Sequence, residues 1–150
     1  MSELEALYQE VILDHNRSPR NFGVLESANR KAEGFNPLCG DRVTIYLEVD
    51  DEIVKDVAFQ GSGCAISMAS SSIMTESLKG KSFVEVERLW TTFHDLVTGE
   101  SEELSGQTNV GKLAVFGGVS KYPVRVKCAT LTWHTLRAAL RKTQEAVSSE

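Results

Sequence analysis

Several common signatures are missing from this chain, and each absence narrows what it can be. No Cys-x-x-Cys pair occurs, so the local mark of a zinc ribbon or a thioredoxin-like redox centre is absent. No apolar run approaches the length of a membrane-spanning helix, so no membrane partner is expected. The 16 Lys and Arg residues are scattered and the net charge is −5, which excludes the basic footprint of a nucleic-acid binder. Repeats are absent, and the one low-complexity stretch is the polar end Ser148-Ser149-Glu150, expected to fray. Gly61-Ser62-Gly63 lacks the spacing of a nucleophile elbow, which argues against a serine hydrolase. Gly80-Lys81-Ser82 lacks the upstream glycine of a phosphate loop, so nucleotide binding has no support. The first residues carry acid where a secretory signal carries positive charge, and the expected location is the cytoplasm. There an odd count of three cysteines speaks against disulfides and for metal or thiol chemistry.

What is present is enough apolar residue for one core: 150 residues, 41% hydrophobic, read as a single domain over 1–150. Leu4, Leu7, Tyr8, Val11 and Ile12 recur at helical spacing, with Ser2 and Glu5 as a capping box, and this helix runs to about His15. An irregular segment follows to Asn36, with a weak strand near Lys31 to Phe35. Val43, Ile45, Leu47 and Val49 alternate with polar residues, and after Asp50-Asp51 an apolar strand resumes from Ile53 to Gln60, forming a hairpin. A second helix runs from Cys64 to Leu78, with Ile66, Ala69, Ile73 and Met74 or Leu78 as its stripe. A third follows the capping pair Ser82 and Glu85 and ends at Gly99. Residues 99–123 read as loops around a short apolar piece, Leu113 to Phe116. A final helical pattern extends from about Arg125 to Val147, with Cys128 in its first turns.

The chemistry gathers at three glycine-flanked runs: Pro37-Leu38-Cys39-Gly40-Asp41, Gly61-Ser62-Gly63-Cys64-Ala65 and Arg125-Val126-Lys127-Cys128-Ala129. Three thiolates and the Asp41 carboxylate would complete a tetrahedron suited to zinc, Zn(2+). Cys64 and Cys128 lie near helix starts, where the dipole favours a thiolate. An oxygen ligand is unusual in a purely structural site and points to a ligand that can leave. Such a site carries a net charge of about −2, which Arg125 and Lys127 could balance. Taken singly, each cysteine reads more readily as a small core residue, a reading that their joint pattern reverses, and His15, His94 and His134 read as surface or half-buried residues and not as ligands.

The runs Asn36-Pro37-Leu38-Cys39-Gly40-Asp41, Gly61-Ser62-Gly63-Cys64-Ala65-Ile66-Ser67-Met68-Ala69-Ser70-Ser71-Ser72 and Val124-Arg125-Val126-Lys127-Cys128 resemble the IscU/NifU-like iron–sulfur cluster assembly family, and within it the SufU branch. The resemblance implies an α+β fold: a small three-stranded antiparallel sheet with helices packed on one face. It implies zinc held by Cys39, Asp41, Cys64 and Cys128, with Cys39 the catalytic sulfur acceptor. The implied partners are a SufS-type cysteine desulfurase, one of whose histidines would replace Cys39 on zinc, and downstream iron–sulfur assembly proteins. Where IscU-type members carry a histidine before the third cysteine, this chain has Lys127, a cation without a free lone pair. That departure, with the long segment from Gly80 to Cys128, favours a zinc-dependent sulfurtransferase. The alternatives are an IscU-type scaffold carrying a transient Fe–S cluster and a zinc-stabilised interaction module.

Overall fold

The computed structural model describes residues 3–37, 40–98, 116, 122–141 and 147–148. Helix α1 (Glu3–Arg17) is followed by strands β1 (Arg30–Asn36), β2 (Asp41–Asp50) and β3 (Ile53–Ser62), then by helices α2 (Ala65–Leu78), α3 (Phe83–Thr98) and α4 (Pro123–Leu140) and a short strand β4 (Val147–Ser148). The α+β expectation holds: β1, β2 and β3 form an antiparallel sheet, and the helices lie on one of its faces.

That one-sidedness follows from the period-2 pattern. Val43, Ile45 and Leu47 on β2 are buried toward the helices, while Arg42 is exposed and Thr44, Tyr46 and Glu48 are half-buried on the opposite face. The hairpin between β2 and β3 closes through Asp51 and Glu52, both in the left-handed region at φ 52° and 59°, with Asp50 paired to Ile53. This is the turn whose twist matches the strands. The outer edge of β3 is covered: the Phe59 amide donates to Asn21 O at 3.0 Å and its carbonyl accepts from Gly23 at 2.8 Å.

Helix α2 is buried nearly all round between α1 and α4, and not along one stripe. Besides Ala69, Ile73, Met74 and Leu78 it buries Ser67, Ser70, Ser71, Ser72 and Thr75. The hydroxyls are satisfied within the interface: Ser71 donates to Ser67 O at 3.0 Å and Thr75 to Ser72 O at 2.8 Å. His15, expected at the surface or half-buried, is instead fully buried. Its Nδ1 lies 2.7 Å from Ser72 Oγ and its Nε2 3.5 Å from Glu76 Oε1, so α2 supplies polar partners for both ring nitrogens.

The expected capping box of α3 is formed, with Ser82 N–H donating to Glu85 Oε1 at 3.1 Å and Glu85 N–H to Ser82 Oγ at 3.2 Å. The box that pairs Ser2 with Glu5, and the loop reading of residues 99–123 apart from Phe116 and the first residues of α4, lie outside the described residues. Helix α3 docks on α4 through aromatic rings: Trp133 stacks with Phe93 at 5.1 Å and with Trp90 at 6.1 Å, and Phe116 meets Phe93 edge-on at 5.8 Å. Two differences concern the last helix. It starts at Pro123 and ends at Leu140, with Arg141 as its C-cap, instead of running to Val147. Val147 and Ser148 then pair in parallel with Gly34 and Phe35, adding β4 to the free edge of β1. A helical period cannot register an open strand edge elsewhere in the fold. No helix among the described residues is long and apolar enough to cross a membrane.

His134 packs its ring edge-on to Trp90 at 5.1 Å. Burial lowers its pKa first, and the Arg137 and His94 charges lower it further. The folded state therefore binds this proton less readily than the unfolded chain, whose histidine titrates near pH ~6.5. Stability from this site is present above that pH and declines as pH falls below it. We expect the thermal midpoint to fall between pH 7.5 and 5.5, and to fall less in His134→Gln; an identical pH slope in the two proteins would refute the assignment.

Candidate metal centre

Three elements converge at one end of the sheet. Asp41 opens β2 opposite Asn36, the last residue of β1, and is fully buried. Cys64 is the N-cap of α2, in extended conformation, and accepts a hydrogen bond from Ser67 N–H at 3.4 Å. Cys128 lies in the second turn of α4, 3% exposed. One ligand atom from each residue falls within 4.8 Å of the other two.

The carboxylate is held at both oxygens. Oδ1 accepts the Cys64 amide at 2.9 Å, and Oδ2 lies 3.7 Å from Cys64 Sγ. A tetrahedral zinc with Zn–S near 2.3 Å and Zn–O of about 2.0–2.2 Å sets its sulfur and oxygen ligands roughly 3.5–3.7 Å apart, so Oδ2 and Sγ already stand close to ligand spacing. A carboxylate and two thiols this close repel once ionised, and a divalent cation between them compensates that charge. The donor set therefore fits a metal.

Glycine makes the approach possible. A Cβ built on Gly63 would collide with Asp41 Oδ1 and stand 2.9 Å from its Cγ, so the carboxylate occupies the space a side chain would take. Gly61 faces the Arg42 carbonyl with the same lack of room. The role of Gly63 as the seat of the carboxylate was not read from the sequence, although a glycine beside a candidate ligand was the available signal.

One expectation changes here. Cys64 sits at the helix start as read, but Cys128 is the sixth residue of α4, past the first turn in which the dipole and unpaired amides act. Arg125 places its guanidinium over the Tyr122 ring at 4.6 Å. Lys127 is half-buried and, as the neighbour of Cys128 on a helix, departs from the axis about 100° around from it. Cys39, the fourth expected ligand and the expected acceptor, lies outside the described residues. On either side of it in the sequence, Gly40 N–H donates to Asn36 O at 2.8 Å, with Gly40 at φ 73°.

With the geometry in place, comparison with known proteins gives a consistent result. The sequence profile described as "NifU-like N terminal domain" matches residues 7–145. The chain is 40% identical over 141 residues to the zinc-dependent sulfurtransferase SufU of Bacillus subtilis, covering 94% of each. It is 37% identical over 146 residues to the iron-sulfur cluster assembly scaffold protein IscU of Streptococcus pyogenes serotype M1, covering 97% of this chain and 90% of that one. A crystal structure from Fervidobacterium islandicum AW-1, described as an iron-sulfur cluster assembly scaffold protein for the SUF system, superposes with a TM-score of 0.80. Its identity is 37%, over 91% of this chain and 98% of that one.

Proposed function

The chain belongs to the NifU-like N-terminal domain family, and on that premise we propose that it acts in iron–sulfur cluster assembly as a zinc-dependent sulfurtransferase. It accepts persulfide sulfur from a SufS-type cysteine desulfurase and passes it to downstream assembly proteins. The relative named for that activity, and the convergence of Asp41, Cys64 and Cys128, support this reading. Zinc, when bound, keeps its thiolate ligands deprotonated at neutral pH and is redox-inert.

The observation that carries the proposal is the convergence of Asp41, Cys64 and Cys128, two of which are oriented by backbone amides. Asp41 is oriented by the Cys64 amide, and Cys64 by the Ser67 amide. Cys39, between Pro37 and Gly40 in the sequence, is assigned the fourth corner and leaves it when it accepts sulfur. Its thiolate attacks the terminal sulfur of the desulfurase persulfide. The S–S bond breaks, the desulfurase cysteine departs as a thiolate, and Cys39 carries the new persulfide with its proton; no electrons are gained or lost overall.

Cys39→Ser keeps the side-chain size but removes the nucleophile. In a purified system it should abolish the stimulation of cysteine desulfurase turnover that the wild-type chain provides. Undiminished stimulation would sink the acceptor role. The scaffold reading draws on the 37% identical IscU relative. It predicts instead a stable, transferable cluster after anaerobic reconstitution with iron and sulfide; Lys127 offers such a cluster no ligand lone pair.

A further inference from the structure

Cys64 and Cys128 belong to different helices, so their separation depends on how α2 and α4 are held against each other. Helices α2 and α4 touch, and both bury apolar side chains, among them Ala69 and Ile73 on α2 and Ala129 and Leu131 on α4. Apolar contact is non-directional, and a shift of one residue along a helix moves a side chain by about 1.5 Å. A metal site tolerates roughly 0.5 Å. Something directional must set the register.

The buried hydroxyl of Ser70 supplies it. Ser70 is fully buried, and its Oγ donates to the carbonyl of Ala129 across the interface at 2.6 Å. Ala129 directly follows Cys128, and Ser70 lies less than two turns from the N-cap Cys64. The bond thus joins the two helices beside both cysteines. Ser71, next along α2 and also buried, donates within its own helix, to Ser67 O at 3.0 Å.

We propose that Ser70 is a positioning residue of the metal centre: its hydrogen bond to Ala129 sets the register of α2 on α4 and with it the spacing of Cys64 and Cys128. The inference rests on the metal reading above, deepens it, and concerns a residue that touches no metal.

The test uses the full metal-free chain, titrated with zinc against a chromophoric chelator and with cobalt(II) while its thiolate and ligand-field absorption is followed. Ser70→Ala should weaken zinc binding about 10- to 100-fold, the effect typical of a group that orients a ligand, and should alter the cobalt spectrum. Ser71→Ala also deletes a buried hydroxyl from α2, and it should leave affinity and spectrum at wild-type values. Should Ser70→Ala not fold, Ser70→Cys keeps the volume with a weak donor and should give an intermediate affinity. A Ser70 variant within twofold of wild type, or an equal loss in Ser71→Ala, overturns the positioning role. A wild-type chain that binds neither ion overturns the metal reading itself, a result distinct from either.

Discussion

Gly63→Ala lowers metal affinity by at least the 10- to 100-fold typical of losing a group that orients a ligand, while the fold persists. The new methyl claims the volume held by Asp41 Oδ1, so the carboxylate rotates out. It then loses the Cys64 amide that fixes it at 2.9 Å, and Oδ2 no longer faces Cys64 Sγ. The side chain can yield because it is the obstructing group, and backbone is not involved. Gly61→Ala differs in kind: its Cβ meets the Arg42 carbonyl of the paired strand, so that variant loses stability first. Zinc competition titrations and thermal unfolding of the metal-free chains separate the two. Wild-type affinity in Gly63→Ala would show that Asp41 does not hold the metal.

Trp133→Ala is the largest stability loss we expect. The indole is fully buried and stacks on both Phe93 and Trp90, so it is a main ring by which α3 attaches to α4. Truncating a buried tryptophan costs about 3–5 kcal/mol, a large part of the 5–15 kcal/mol that holds a typical domain together. For a chain of this size that corresponds to a fall of roughly 6–20 °C in Tm. Trp133→Phe should cost less than half as much. It keeps most of the ring area and removes an indole N–H that finds no hydrogen-bond partner among the described residues. Urea unfolding of both variants checks this; a loss under 1 kcal/mol for Trp133→Ala would mean that α3 is held by other contacts.

Much of the fold was legible because period and punctuation are local. The alternation of Val43, Ile45 and Leu47 gave β2 and its buried face, the Ser82 and Glu85 pair gave the start of α3, and Gly80 marked the end of α2. What was misread depends on partners distant in the chain. His15 is buried because Ser72 and Glu76, more than 50 residues away, meet its ring. The final helix was read too long because its polar and apolar residues continue at helical steps, whereas the segment around Val147 is drawn to the open edge of β1.

For the site, residue type alone supplied the candidate chemistry: thiols and a carboxylate are a donor set suited to a soft metal, because ligand preference belongs to the atoms. Only the tertiary structure decided that Asp41, Cys64 and Cys128 share one point. It also revealed that Gly63 makes the room and that Ser70 joins the two helices. Those are distances between segments more than 20 residues apart, and packing sets them where no local period can.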